Sequence, residues 1–352
     1  YRFVARYTNS THNIFCLKNE TLENSPVFFV LEPLSESFND NINSINSLYP
    51  NAIDKKQARY VGEIFGTKDK DATRTILQSH DVPFIDTEVI KNEFYLNEHI
   101  HFTRMSDFTY NRMGYTQADL TDFDSLALGK KNSLSSEQKD ELKRMDDLSL
   151  EWGIKPLLSG IDHLAARVLS SGLDSALLEL VTLTNYYFWG GYDILAMGTI
   201  TAATRATHGV DNRSPAKVIS GNDTPYMVNS LKNGTPMPVE DFVRNYGRRL
   251  HHMAMQIKDG DHPAGGKNID FVVNTLKDKA NIHFLAELVG NGDEESLRQT
   301  FSDVSPLSML LTEFAQRCNG FHGFLNESNV AALANIKGTS GNKLKKRSVI
   351  GD

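Results

Sequence analysis

Two distant stretches of the chain carry one pattern, and a pattern repeated at this length narrows the folds available. "ARYVGEIFGTKDKDATRTILQSHDVPFI" spans residues 58 to 85. "RLHHMAMQIKDG" starts at residue 249 and, after a Gly-rich insertion over 259–267, continues as "NIDFVVNTLKDKANIHFL" to Leu285. Each copy is a strand-like alternation ending in Lys-Asp, then an amphipathic helix with apolar positions three and four apart, then a short strand. Asp71, Ala72, Ile76 and Leu77 take in the first copy the places of Ile269, Val272, Val273 and Leu276 in the second. A weaker third version begins at "GIDHLAARVLSSGLDSALLELVTLTNYYF", residues 160 to 188. Such units predict an α+β protein whose modules pack side by side, each sheet half closing a cavity.

The repeat divides the chain into an N-terminal module over 1–128, a charged helical linker over 129–152, a C-terminal module over 153–337 and a frayed tail over 338–352. The linker's charges read as a solvated helix face. The chain of 352 residues is long enough for this plan, with 40% hydrophobic and 23% charged residues as in ordinary globular proteins. A net charge of −7 argues against nucleic acid as the main partner, which needs a basic face. The one basic run, "KLKKR" at 343–347, lies in the Gly/Asn/Ser-rich tail. Two cysteines, Cys16 and Cys318, cannot build a disulfide framework or a thiolate metal site. No apolar run reaches the length of a membrane span and no stretch resembles a signal peptide, so a cytoplasmic protein is expected. The sequence starts at Tyr1 without a methionine, which leaves room for a preceding piece.

Three segments bring candidate metal ligands. "GIDHLAAR" and "RLHHMAMQ" share His-x-Ala, at His163 with Ala165 and at His252 with Ala254. Both stand on the first strand of a unit, and a small residue beside the histidine leaves space above it. His251 lacks that partner, and in a regular strand it points to the face opposite His252. In "SMLLTEFAQR" (308–317), alternation puts Met309, Leu311, Glu313 and Ala315 on one face. A carboxylate among apolar residues must be paired or bound to a metal. Two imidazoles and one carboxylate are the facial triad of non-haem Fe(II) oxygenases, but residues so far apart can be assembled only by the fold. His12, His80, His99, His101, His208, His262, His283 and His322 have no partner at ligand spacing, except that His99 and His101 could share a strand face, which reads as hydrated. No GxGxxG, P-loop or nucleophile elbow is present, and "GGYD" and "AGGK" read as turns.

At these residues the chain resembles the 4-hydroxyphenylpyruvate dioxygenase and hydroxymandelate synthase family of the vicinal-oxygen-chelate superfamily. The resemblance runs in order over nearly the whole chain, through "VFFVLEPL", "FTRMSDFTYNRMGY", "GIDH", "YG…HHMA" (Tyr246 to Ala254), "TEFAQR" and "GFHGFLNESNVAAL". It implies tandem βαβββ modules forming open barrel-like sheets, with Fe(II) held by His163, His252 and Glu313. It also implies turnover of a 2-oxo acid such as 4-hydroxyphenylpyruvate with O2, and a possible homo-oligomer. Ser214, Asn229, Gln299, Phe301, Phe324, His251 and Val330 match substrate-contacting positions. The family's pattern breaks at three of its places. His251 stands where the family has a glutamine, Pro238 or Met237 where it has another, and Val330 where it has an aromatic. The resemblance thus implies an intact metal site within an altered ring-binding shell. A different metal-dependent reaction on this fold, and a small-ligand-binding module without turnover, are the competing expectations.

Overall fold

The computed structural model describes residues 1–19, 25–36, 44–55, 58–85, 99–194, 198–206, 215–223, 237–293, 295–325 and 329. In chain order these form β1 (Arg2–Thr8), β2 (His12–Lys18), β3 (Phe28–Pro33), β4 (Gly62–Gly66), α1 (Lys70–Ser79), β5 (Ile100–Phe102), β6 (Arg112–Thr116) and β7 (Lys130–Asn132). There follow α2 (Ser136–Glu151), β8 (Leu158–Arg167), α3 (Leu173–Leu183), β9 (Tyr186–Ile194), β10 (Thr199–Ala206), β11 (Ala216–Asn222), α4 (Pro238–Tyr246), β12 (Arg249–Ile257), α5 (Asn268–Ala280), β13 (Ser296–Phe301) and β14 (Leu311–Cys318). Among the described residues the strands form three sheets, ordered β3-β2-β1-β7, β4-β6-β5 and β13-β14-β12-β8-β11-β10-β9. The architecture is mixed α+β, with curled open sheets.

The repeat is visible in the pairing. In each unit the first strand runs parallel to the last: β4 with β6, β8 with β11, and β12 with β14. The two C-terminal units join at their first strands, β8 against β12, antiparallel. The "VPFI" and "IHFL" echoes each contribute one isolated bridge, Phe84 to Thr103 and Phe284 to Ser302.

The equivalence of the helices is only partial. In α5, Ile269, Val272 and Val273 are fully buried with Ile154, Ile257 and Phe284, each burial stabilising by roughly 2 kcal/mol. In α1 no residue is buried and Ile76 is 60% exposed. Asp71 is no core residue there, being exposed and paired with His101 (2.6 Å). Asp69 instead starts that helix, its carboxylate accepting the Asp71 and Ala72 N–H groups. α3 buries Leu173, Ala176, Leu180 and Leu183 against Val168 just past β8 and Ile219 of β11, and against Phe84, Met113 and Tyr115 of the N-terminal half. With α3 and α5 covering one face of that sheet, its other face is left to line a cavity.

Three expectations change. "GGYD" is no turn but part of β9. The register against β10 shifts there, Ala203 facing Gly190 and Thr204 facing Phe188, so Trp189 is a bulge residue beside a glycine pair. Met309 does not share the Glu313 strand face. β14 starts at Leu311, and Met309 has φ of 59° and packs with Ala52 and Ala58. His99 precedes β5, so only His101 belongs to that strand. No helix among the described residues is long and apolar enough to cross a membrane.

Candidate metal centre

His163, His252 and Glu313 stand on β8, β12 and β14, three adjacent strands of the large sheet. Register brings them together. Ala254 on the middle strand faces His163 on one side and Glu313 on the other, while His252 faces Ala165 and Leu311. The two alanines of the His-x-Ala pattern are thus the small cross-strand neighbours of the three polar side chains. His163 Nε2 and His252 Nε2 each lie 3.3 Å from Glu313 Oε2, and 3.2 Å from each other. Among the described residues this is the one cluster of three His, Cys, Asp or Glu side chains with converging ligand atoms. His163 and Glu313 are each only 2% exposed.

The donor set fits a divalent cation. Ligand bonds of about 2.1 Å would place donors roughly 3.0–3.4 Å apart, the spacing found here. Glu313 Oε1 is buried without a hydrogen-bond partner, a costly state for a carboxylate unless a cation accounts for it. In the protein alone, burial disfavours imidazolium at His163, but the Glu313 and Asp162 carboxylates outweigh it and raise that group to about 9. A cation binding there therefore displaces a proton.

A second ring of residues holds the three side chains in place. His163 Nδ1 donates to Asp162 Oδ1 at 2.7 Å, leaving Nε2 turned to the cluster. Asp162 is gripped by Arg317, whose Nε and Nη2 each donate at 2.7 Å to its two oxygens. Burial alone would raise Asp162, yet the Arg317 charge and the His163 bond hold it well below the usual carboxylate range. Arg317 Nη1 also donates to Gly323 O, fixing the segment before Phe324. At His252 the neighbour is His251, with 2.7 Å between their Nδ1 atoms.

His251 is not simply on the opposite face. Leu250 pairs with Ala166 and His252 with Ala165, so His251 is the extra residue of a β-bulge. It is buried and its ring meets Phe242 at 4.8 Å. It thus braces His252 without lining the cavity.

The cavity above the three side chains, about 100 Å³, is lined by Ala165, Val218, Ile194, Val239, Phe301, Phe324 and Leu325, with polar groups from Arg167, Thr199, Thr201, Ser220 and Gln299. Phe301 sets its ring edge-on to His252 (5.2 Å) and Phe324 edge-on to His163 (5.1 Å). Gln299 is fully buried on the same wall. Of the positions matched by resemblance, the cavity therefore includes Gln299, Phe301 and Phe324. Ser214, Asn229 and Val330 lie outside the described residues. Met237 and Pro238 start α4, whose Val239 reaches the cavity. Arg167 and the three hydroxyls were not anticipated, although "HLAAR" puts Arg167 in phase with His163.

Compared with solved structures, the chain is similar to a mutant of 4-hydroxymandelate synthase from Streptomyces coelicolor, with a TM-score of 0.59 and 14% identity over 96% of this chain and 91% of that one. It is also similar to a xylose isomerase-like TIM barrel/4-hydroxyphenylpyruvate dioxygenase fusion protein, with a TM-score of 0.53 and 12% identity. That match covers 98% of this chain and 48% of the other, so the chain spans about half of the fusion protein. The likeness is one of fold, mixed α+β with curled open sheets, shared with both structures. No family model matches the sequence, and no curated protein matches it significantly.

Proposed function

We propose that the chain is an Fe(II)-dependent dioxygenase that oxidatively decarboxylates a 2-oxo acid, with His163, His252 and Glu313 as the iron ligands. The convergence of two imidazoles and one buried, half-satisfied carboxylate on a largely apolar cavity carries this reading. The likeness in fold to a hydroxymandelate synthase and to a dioxygenase fusion supports it. Bound iron would supply Lewis-acid activation of the 2-oxo acid and the electrons that reduce O2.

The chain's own residues do the rest. The Asp162–Arg317 pair holds His163 in one tautomer, and the cross-strand alanines leave room for substrate beside the ligands. Gln299 offers an amide N–H to the acid's oxygens. Phe301 and Phe324 wall the cavity, keep water out and flank an organic side chain. Aryl acids such as 4-hydroxyphenylpyruvate belong to the substrates considered, and the module over 1–128 is taken as non-catalytic.

The test is oxygen uptake by anaerobically Fe(II)-loaded protein offered 4-hydroxyphenylpyruvate, phenylpyruvate and aliphatic 2-oxo acids, with iron content measured in parallel. Uptake stoichiometric with CO2 release is expected for at least one acid. Glu313→Ala should retain no iron and show no uptake while keeping its circular dichroism spectrum. Iron retained without uptake on any acid would point to another reaction or to a binding module, and full activity in Glu313→Ala would overturn the metal centre.

A further inference from the structure

The cavity has two polar ends. β8 alternates along it, so His163, Ala165 and Arg167 face the same side, and all three line the cavity. Four residues of strand place the Arg167 backbone about 13 Å from that of His163. Beside Arg167 the register sets Ser220 of β11, and beside Ser220 sets Thr201 of β10, their hydroxyls 2.9 Å apart. Thr199 follows on the same strand. A row of one guanidinium and three hydroxyls thus borders the cavity at the end away from His163 and Glu313, with the row of His252, Ala165 and Val218 between.

Arg167 is 8% exposed and has no carboxylate within ion-pair distance among the described residues. Its guanidinium lies over the Phe242 ring at 4.8 Å and, among the described residues, makes one long hydrogen bond, Nη1 to Pro238 O at 3.5 Å. Burial lowers its pKa to about 9, with Asp241 the opposing influence, so it is still charged at neutral pH. The contrast with two other arginines is informative. Arg317 is paired bidentately with Asp162, and Arg249, which faces Arg167 across the β8–β12 pair, donates to the carbonyls of Tyr246 and Ala58. A buried charge without a partner is costly, and a ligand that brings the partner recovers that cost.

We infer that Arg167 receives an anionic group on the far end of the substrate, so that the substrate is a 2-oxo acid carrying a second carboxylate. This rests on the reading of the triad as the metal centre, which takes the 2-oxo acid end. The fork of the guanidinium matches a carboxylate in two parallel hydrogen bonds, and Ser220 and Thr201 stand beside it to donate further. A neutral or phenolic tail would leave the charge unmatched.

Binding rather than turnover decides this. Anaerobic titration calorimetry on the Fe(II)-loaded full chain compares phenylpyruvate with its 4-carboxy derivative, for wild type, Arg167→Met and Arg167→Lys, with iron content and melting temperature recorded. The carboxylated acid should bind wild type at least tenfold tighter. Arg167→Met should bind both acids equally with its iron content unchanged, and Arg167→Lys should restore part of the preference. Equal affinities in wild type, or a preference that survives in Arg167→Met, would overturn the assignment. If wild type retains no iron, the triad reading fails by itself. The same pair of acids on metal-free protein then decides Arg167: an Arg167-dependent preference supports the anion site, and no preference overturns it. Should Arg167→Met not fold, Arg167→Gln takes its place.

Discussion

Asp162 shows how much one residue can carry. Its carboxylate orients the His163 imidazole and neutralises Arg317 at the same time. Asp162→Asn can still accept from His163 but leaves the Arg317 charge buried and unmatched. It should cost about 3–5 kcal/mol of stability and lower metal affinity about 10–100-fold. Denaturant unfolding and metal titration of the variant check both. His12 makes a pH prediction. Burial lowers it to about 4, below the 6.5 of an exposed histidine. The unfolded chain therefore binds the proton more tightly, and stability falls as pH drops from about 6.5 towards 4. The loss approaches 3 kcal/mol in order of magnitude. His12→Asn should flatten that part of the stability-against-pH curve, and an unchanged slope would assign it to other groups.

At the scale of elements, Gln316 ties a strand to a helix. It is fully buried on β14, where its Oε1 accepts the Ile269 N–H at the start of α5 while its Nε2 donates to Gly260 O at 3.0 Å. The Ile269 N–H is one of those that no turn of helix satisfies. Gln316→Leu keeps the volume but strips these bonds and the one its Nε2 donates to Asp259, and should cost about 1–3 kcal/mol. Hydrogen exchange should quicken first in the opening turn of α5. The bulge at His251 is a device of the same scale. One extra residue in β12 brings two adjacent imidazoles together, His251 bracing the His252 ring that reaches Glu313.

Across the whole molecule, the N-terminal half meets the large sheet through a buried ion pair. Lys217 Nζ of β11 lies 2.5 Å from Glu63 Oε1 of β4, beside the rings of Phe65 and Tyr186. Lys217 points away from the metal cavity, since its neighbours Val218 and Ala216 take the other face or its edge. Removing one partner strands the other, so Lys217→Met should destabilise by about 3–5 kcal/mol, whereas Lys217→Met with Glu63→Leu should recover most of the loss. Thermal unfolding of the singles and the double separates these outcomes, and additive losses would deny the coupling.

Local periodicity carried much of this molecule. The repeated strand–helix units, the core stripe of α5 and the strand placement of His163, His252 and Glu313 are all legible in residue order, because alternation and the helical period are properties of neighbours. The same rule could not show the bulge that brings the His251 and His252 Nδ1 atoms to 2.7 Å, and it extended β14 back to Met309. What residue order cannot state is partnership across strands. Ala254 lies between His163 and Glu313 because β12 sits between β8 and β14. Asp162 meets Arg317, and Arg167 meets no carboxylate among the described residues, for the same kind of reason. Sheet order and register decide which side chains share a cavity, and whether a charge carried into it finds its counterion in the protein or must await one from a ligand.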